Sequence, residues 1–127
     1  GLEHVAEDSR QRWDELIAEA VTGPPGLFNP NGWVVTAFQA ALSAIVNTPV
    51  PEEQSSDHLR EALVAAVRIG DDTDTVAAIA GALLGARWGT DAIPDEWNTL
   101  IHGDRQRGSE PVNGTELEQL ARKTLSA

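Results

Sequence analysis

Three carboxylates lie within four residues in the segment Gly-Asp-Asp-Thr-Asp-Thr, residues 70–75. Magnesium and manganese prefer oxygen ligands, and several carboxylates neutralise their charge. A turn that enters a helix can direct Asp72, Asp74 and Thr75 at one point, whereas a regular helix would send positions 72 and 74 to different sides. The segment therefore predicts a divalent-cation site, to which the Thr75 hydroxyl supplies a further oxygen.

Helix capping is a second interpretation of the same residues, and it remains open on composition alone. Asp and Thr are favoured N-cap residues, and acids at a helix start complement the helix dipole. One cap needs one acid and not three, and clustered carboxylates near an apolar core repel one another unless a cation or a proton offsets them. An EF-hand loop starting at Asp72 is excluded, because Ala77 and Leu83 occupy the positions that require Gly and Glu.

Residues 72–76, Asp-Thr-Asp-Thr-Val, also fit the short Asp-x-Asp-x-Val pattern of haloacid-dehalogenase-type phosphatases. In that pattern the first aspartate is a nucleophile. The interpretation requires a strand before the motif and an alternating α/β chain after it. Here the preceding residues have helical spacing, the following segment is an alanine- and glycine-rich helix, and Lys123 is the only lysine. The sequence therefore disfavours a phosphatase.

Helical spacing of apolar residues runs through the chain and predicts an all-α fold with no clearly alternating strand. Helices are expected over residues 3–21 and 32–47, followed by a third helix capped by Ser55, Ser56 or Asp57. The segment 73–88 is nearly all apolar, which predicts a helix that is buried on every face. Its glycines are four residues apart, so we expect close packing of a neighbouring helix at Gly81 and Gly85.

The last third of the chain predicts shorter elements. Residues 95–101 are expected to form a helix with Trp97 and Leu100 turned inward, and residues 103–114 an exposed loop. Thr115 and Glu118 have the spacing of a capping box for a terminal helix over residues 115–126. The whole chain, residues 1–127, is thus expected to be a single all-α unit with its core in residues 26–102.

Composition limits the partners and the compartment. The formal net charge is −11, from 9 basic and 20 acidic residues, so the surface repels nucleic acid and anionic lipid. The chain has no cysteine, which excludes disulfides and fits a cytoplasmic protein. No segment has the pattern of a secretory signal or the length of a membrane span. His4, His58 and His102 are scattered among polar residues and are expected at the surface.

Three segments resemble one known family. Residues 70–89, Gly-Asp-Asp-Thr-Asp-Thr-Val-Ala-Ala-Ile-Ala-Gly-Ala-Leu-Leu-Gly-Ala-Arg-Trp-Gly, closely resemble the carboxy-terminal signature of the ADP-ribosylglycohydrolases, which include the dinitrogenase-reductase-activating glycohydrolases. Residues 31–35 with 40–42 resemble the family's preceding helix, and residues 92–97 resemble the stretch that follows. Because the three segments occur in the right order over residues 26–102, they are more specific than the acidic turn alone.

The resemblance implies an all-α, multi-helical orthogonal bundle that is part of a larger helical domain. Such a domain holds two magnesium or manganese ions at its centre. The family's signature places Asp72, Asp74 and Thr75 among the metal ligands. No residue of this chain is expected to act as a general acid or base.

The same resemblance implies candidate substrate-binding residues. Asn31, Gly32 and Trp33 correspond to a loop that lies near the substrate in the family. Trp33 has the alternative role of a core or rim aromatic residue. Asp71 stands where the family usually has a second glycine, and an extra acid at this position can alter the pocket or approach a ligand.

The family's other metal ligands, a Thr-Asp-Asp cluster and an acid near a Gly-Asp segment, lie in its amino-terminal half. Residues 1–21 contain no such motif, so this chain is expected to be the carboxy-terminal half alone, completed by a missing amino-terminal half or a partner chain. The complete domain would hydrolyse the C1″ bond between ADP-ribose and a protein side chain, or a related ADP-ribosyl compound. The alternative is a non-catalytic helical interaction module derived from this family. Either way, half of a helical domain is expected to expose apolar surface.

Overall fold

Helices form most of the chain in a computed structural model that describes residues 2–103 and 111–125. This described part contains six α-helices: α1 Glu7–Thr22, α2 Val34–Val46, α3 Asp57–Arg68, α4 Thr73–Trp88, α5 Asp95–Leu100 and α6 Gly114–Leu125. Its shorter elements are 3-10 helices at Leu2–His4, Pro25–Phe28 and Thr90–Ala92, and an antiparallel pair of strands, β1 His102–Gly103 and β2 Val112–Asn113. The all-α prediction is confirmed.

Local chain chemistry explains where the helices begin and end. α4 has the predicted bounds: it begins at Thr73 after the acidic turn, and Gly89 ends it by adopting a φ of 78°. α2 begins at Val34, two residues later than predicted, because the residue before it is extended. α1 begins at Glu7 and not at residue 3, because the first residues form a separate 3-10 helix.

α2 and α4 run in the same direction, and α3 runs against both. At one end, the Asn31 side chain just before α2 accepts a hydrogen bond from the backbone of Asp72 just before α4. At the other end, His58 at the start of α3 contacts the carbonyl oxygen of Ile45 in α2 and the indole of Trp88 in α4. The starts of α2 and α4 are therefore adjacent, and both lie beside the end of α3.

Small side chains fill the space between these three helices. The buried apolar residues of α2, α3 and α4 are Ala37, Ala40, Ala41, Ala44, Leu59, Ala62, Ala66, Val76, Ala80 and Leu84. Because most of them are alanines, the helix backbones approach one another closely. α1 joins this core through Leu16 and Ala20, and the Gln39 side chain of α2 donates to the Leu16 carbonyl oxygen at 3.0 Å.

α4 buries one face only, so the prediction of burial on every face is wrong. Val76, Ala80 and Leu84 are buried, whereas Leu83 is 44% exposed. The exposed side of α4 is named here the outer face; it consists of Thr75, Ala78, Ala82, Leu83 and Ala86.

The predicted close packing at the α4 glycines is also not what the structure gives. A Cβ atom on Gly85 would meet no atom within 4 Å, and one on Gly81 would lie at an ordinary 3.7 Å from Leu63. Within the described residues, Gly85 therefore faces open space, and Gly81 faces the Leu63 side chain rather than a neighbouring backbone.

The carboxy-terminal elements differ from their predictions in detail. Trp97 packs against the core as expected, but Leu100 is 71% exposed. The capping box of α6 is formed by Asn113 and Glu116, whose side chains exchange hydrogen bonds with each other's backbone N–H groups at 3.0 Å. Glu118, the predicted capping acid, pairs instead with Arg122.

Most of the predicted exposed loop, residues 104–110, lies outside the described residues, as does the end of the terminal helix at residue 126. The flanking residues of the loop pair as β1 and β2, with His102 opposite Asn113. Val112 is buried, which departs from the prediction for this end of the loop. No helix in the described ranges is long and apolar enough to cross a membrane.

His58 is buried, contrary to the surface prediction, whereas His4 and His102 are exposed as predicted. The Nε2 atom of His58 lies 3.0 Å from the Ile45 carbonyl oxygen and 3.1 Å from that of Thr48. This role has no local sign in the sequence, because the partners of His58 lie 10 to 30 positions away along the chain. His58 thus joins the ends of α2 and α4 to the start of α3.

Candidate functional site

The acidic turn between α3 and α4 has an unusual backbone. Gly70 and Asp71 both adopt positive φ angles, 85° and 63°. Glycine takes this left-handed region freely, and Asp is among the few other residues that tolerate it. The Thr73 N–H donates to the Asp71 carbonyl oxygen at 2.9 Å, and α4 then starts with the Val76 N–H bonded to the Asp72 carbonyl oxygen. The chain reverses in this way within four residues and presents its acids at the start of α4.

Asn31 holds this turn from the loop before α2. Its side-chain Nδ2 donates to the Gly70 carbonyl oxygen at 3.2 Å, and its Oδ1 accepts from the Asp72 N–H at 2.9 Å. Its backbone N–H donates to Oδ2 of Asp71 at 3.0 Å. These three bonds are named here the Asn31 clasp. The two predicted segments, about 40 residues apart in sequence, therefore meet at one place.

The Asn31 side chain is buried and used in hydrogen bonds to the turn. Asn31 is 0% exposed, and both ends of its amide are bonded to the turn. A direct substrate contact of this side chain, as the resemblance implied, would require these bonds to be exchanged. Asn29 adds a further tie that the sequence reasoning missed, because its Nδ2 donates to the Ile69 carbonyl oxygen at 2.9 Å. The Asn-Pro-Asn-Gly run at 29–32 is typical of a turn, but it does not indicate which other segment of the chain that turn contacts.

The three predicted metal ligands lie at the end of this turn and in the first residues of α4. Asp72 is half-buried, whereas Asp74 and Thr75 are exposed. The pKa of the Asp74 carboxyl group is lowered, first by a hydrogen bond with the Asp72 side chain and then by the backbone N–H of Thr75 at 3.0 Å. Asp72 and Asp74 are therefore close enough to interact directly, as two ligands of one ion must be.

The donor set fits a hard divalent cation in kind but is incomplete. Carboxylate and hydroxyl oxygens are the ligands that magnesium and manganese take. Within residues 2–103 and 111–125, no group of three or more His, Asp or Glu side chains is arranged to hold a metal ion. The described part of the chain thus offers a pair of carboxylates, to which other ligands must be added for a closed site.

Gly32 and Trp33 lie beside the clasp and are open to solvent. Trp33 is 64% exposed, so it is not a core aromatic residue among the described residues, and the alternative of a rim aromatic residue stays open. Its carbonyl oxygen accepts from the Ala37 N–H and from the Thr36 hydroxyl, which fixes the start of α2. An exposed indole at a helix start offers a flat apolar face with one polar edge to a ligand.

The amino-acid sequence that forms these helices and the acidic turn matches the model of a known family. The chain belongs to the ADP-ribosylglycohydrolase family, whose model matches residues 2–127.

Curated relatives share part of their length with this chain. ADP-ribosylhydrolase ARH3 of Homo sapiens is 31% identical over 110 residues, and that of Bos taurus is 35% identical over the same length. Each match covers 81% of this chain and 30% of the relative. ADP-ribosylarginine hydrolase Tri1 of Pseudomonas putida is 39% identical over 67 residues, which is 53% of this chain and 16% of the relative. The chain thus spans about 30% of the length of the first of these relatives, and no solved structure matches it.

Proposed function

We propose that this chain forms one part of the active site of a magnesium- or manganese-dependent ADP-ribosyl hydrolase. The observation that carries the proposal is the pair Asp72 and Asp74, which interact at a turn held by the Asn31 clasp. The relatives are named as hydrolases of ADP-ribosyl linkages, and Tri1 is named for ADP-ribosylarginine. The substrate class proposed here is ADP-ribose joined through its C1″ carbon to a protein side chain, or a related ADP-ribosyl compound.

In this proposal the residues of the turn bind and orient rather than transfer protons. Asp72, Asp74 and Thr75 would provide oxygen ligands to the ions, which when bound would supply a template and a Lewis acid for the distal ribose and a water molecule. Trp33 and Gly32 border the same end of the helices and would contact the ADP-ribose. The acid or base that moves protons in the reaction would come from outside these residues.

The outer face of α4 is the surface against which we propose that the remaining part of the site packs. It begins at Thr75, which is itself one of the proposed ligands, and continues along the helix as exposed alanines and Leu83. A further segment of the family domain, on the same polypeptide or on a partner chain, would bury this apolar surface and complete the ligand set. The partial coverage of the relatives supports this proposal.

The alternative function is a non-catalytic helical interaction module. The specific observation in its favour is that the described residues offer two neighbouring carboxylates and no three-ligand cluster. In that case the outer face of α4 would bind a partner that brings no metal ligands.

Calorimetric titration with magnesium and ADP-ribose separates the two proposals. The wild-type chain is compared with the Asp72→Ala/Asp74→Ala double variant and with Asp8→Ala/Asp14→Ala, which removes two exposed acids of α1 and serves as the charge control. Magnesium-dependent binding that the first variant loses and the control keeps supports the hydrolase site. Equal binding by all three proteins contradicts the metal role. A folded chain that binds neither ligand, alone or with the rest of the domain, supports the interaction module.

A further inference from the structure

Asp71 combines a rare backbone conformation with a specific side-chain bond. At a φ of 63° glycine would be unstrained, yet the chain has an acid there. The Oδ2 atom of this acid accepts the Asn31 backbone N–H at 3.0 Å, across 40 positions of sequence. Glycine could not make this bond, so the side chain of Asp71 adds a tie between the two segments.

This tie acts on the rest of the Asn31 clasp. Asn31 is completely buried, and its amide contacts the residues on either side of Asp71. Once the Asn31 backbone is fixed, its Oδ1 atom is fixed relative to the Asp72 N–H, which lies 2.9 Å away. The position of the Asp72 backbone therefore depends on the Asp71 carboxylate through one intermediate residue.

We propose that Asp71 is a positioning residue, which orients Asp72 through Asn31 and is not itself a metal ligand or a substrate contact. Its role toward a cation rests on the proposed function, while its role in the clasp does not. Residues that hold a ligand in place contribute to metal affinity without touching the ion. The Oδ2 atom of Asp71 is bonded to Asn31, so Oδ1 is its one carboxylate oxygen that is not part of the clasp.

Backbone hydrogen exchange in the full chain without divalent cations tests the clasp itself. Two variants distinguish the effect of the side-chain acceptor from that of the backbone conformation. Asp71→Gly relaxes the left-handed residue but removes the acceptor, whereas Asp71→Asn keeps an acceptor oxygen and tolerates the conformation. We expect the Asn31 and Asp72 amides to exchange roughly tenfold faster in Asp71→Gly. They should remain protected in Asp71→Asn and in the surface control Asp14→Ala. Equal protection in Asp71→Gly and the wild type overturns the proposal.

Magnesium-dependent binding of ADP-ribose, measured on the same proteins, tests the consequence for the site. Asp71→Gly should weaken it by about tenfold, within the range found for residues that support metal ligands, while Asp71→Asn should stay near the wild type. If Asp71→Asn loses binding although its amides remain protected, the carboxylate touches the ligand directly and the proposal is overturned. A wild-type chain that binds neither ligand, alone or with the rest of the domain, overturns the proposed function instead, and the exchange measurement still decides whether the clasp exists.

Discussion

The indole N–H of Trp88 donates to the Nδ1 atom of His58 at 3.2 Å. Because an indole nitrogen can only donate, Nδ1 accepts, and the proton of the neutral ring lies on Nε2. That N–H is shared between the carbonyl oxygens of Ile45 and Thr48. One side chain therefore satisfies three polar groups at the end of the helices farthest from the acidic turn.

Replacing His58 with Leu should lower the free energy of unfolding by about 1–3 kcal/mol, because the indole N–H and the two carbonyl oxygens lose their partner. Urea denaturation followed by circular dichroism measures this change. The control is His4→Ala, since the His4 side chain is 86% exposed and its loss should stay within about 0.5 kcal/mol. Equal midpoints for the two variants would contradict the role of His58.

Asn31→Asp should destabilise the chain at neutral pH more than its small change in shape implies. The new carboxylate cannot donate to the Gly70 carbonyl oxygen, and it would lie buried beside the acids of the turn. We expect the deficit to shrink at acid pH, where the introduced group is protonated and can donate again. Thermal melts of the variant and the wild type from neutral to acid pH measure the difference in melting temperature. A difference that does not change with pH would contradict the electrostatic cause.

Gly85 lies three residues after Ala82 and borders the outer face of α4, so Gly85→Ala tests whether this side of the helix is free of contacts. In the structure the added Cβ meets no atom within 4 Å, so alanine should stabilise the helix by up to about 1 kcal/mol. Ala82→Gly, on the same exposed side, is the matched reverse change and should cost a similar amount. Thermal melting of the 127-residue chain provides the measurement. A loss of stability in Gly85→Ala would mean that another segment or chain already packs against this side.

The pKa of the Asp74 carboxyl group should lie below the usual range of aspartate, because its ionised form accepts a hydrogen bond from Asp72 when the pair holds one proton, and another from the Thr75 N–H. A lowered folded-state pKa means that ionised Asp74 stabilises the fold above the unfolded pKa, and that this contribution disappears as the pH falls through the lowered value. Asp72→Ala should raise the pKa of Asp74 toward its usual value, although the Thr75 bond remains. NMR titration of the Asp74 carboxyl carbon without divalent cations measures this pKa, and Asp8→Ala is the control. Identical Asp74 titrations in the wild type and in Asp72→Ala would exclude the interaction.

Local signals predicted the elements well, and α4 shows why. The acids before Thr73 and the glycine after Trp88 mark both ends of that helix within a few residues of sequence. Thr115 and Glu118 have the spacing of a cap for the terminal helix, but Asn113 and Glu116 form the cap, and Asn113 ends β2 directly before this helix. Spacing alone could not choose between them.

Long-range contacts account for what the sequence did not predict. His58 is buried because of a carbonyl oxygen 13 residues before it and an indole 30 residues after it. The sequence places Asn31 in the loop before the second helix, but its burial follows from bonds to a turn about 40 residues away. Apolar composition likewise identified α4 as a helix without showing that one of its sides stays exposed.

The Asn31 clasp closes a loop of about 40 residues that contains α2 and α3. The turn can be held in place only when both helices have already packed, since the entropy of closing that loop is offset by their contacts. A cation that binds only the clasped turn would therefore stabilise the whole three-helix unit by mass action. Cation occupancy and the folding equilibrium become linked, so that a chelator would lower the melting temperature of helices that no ion touches.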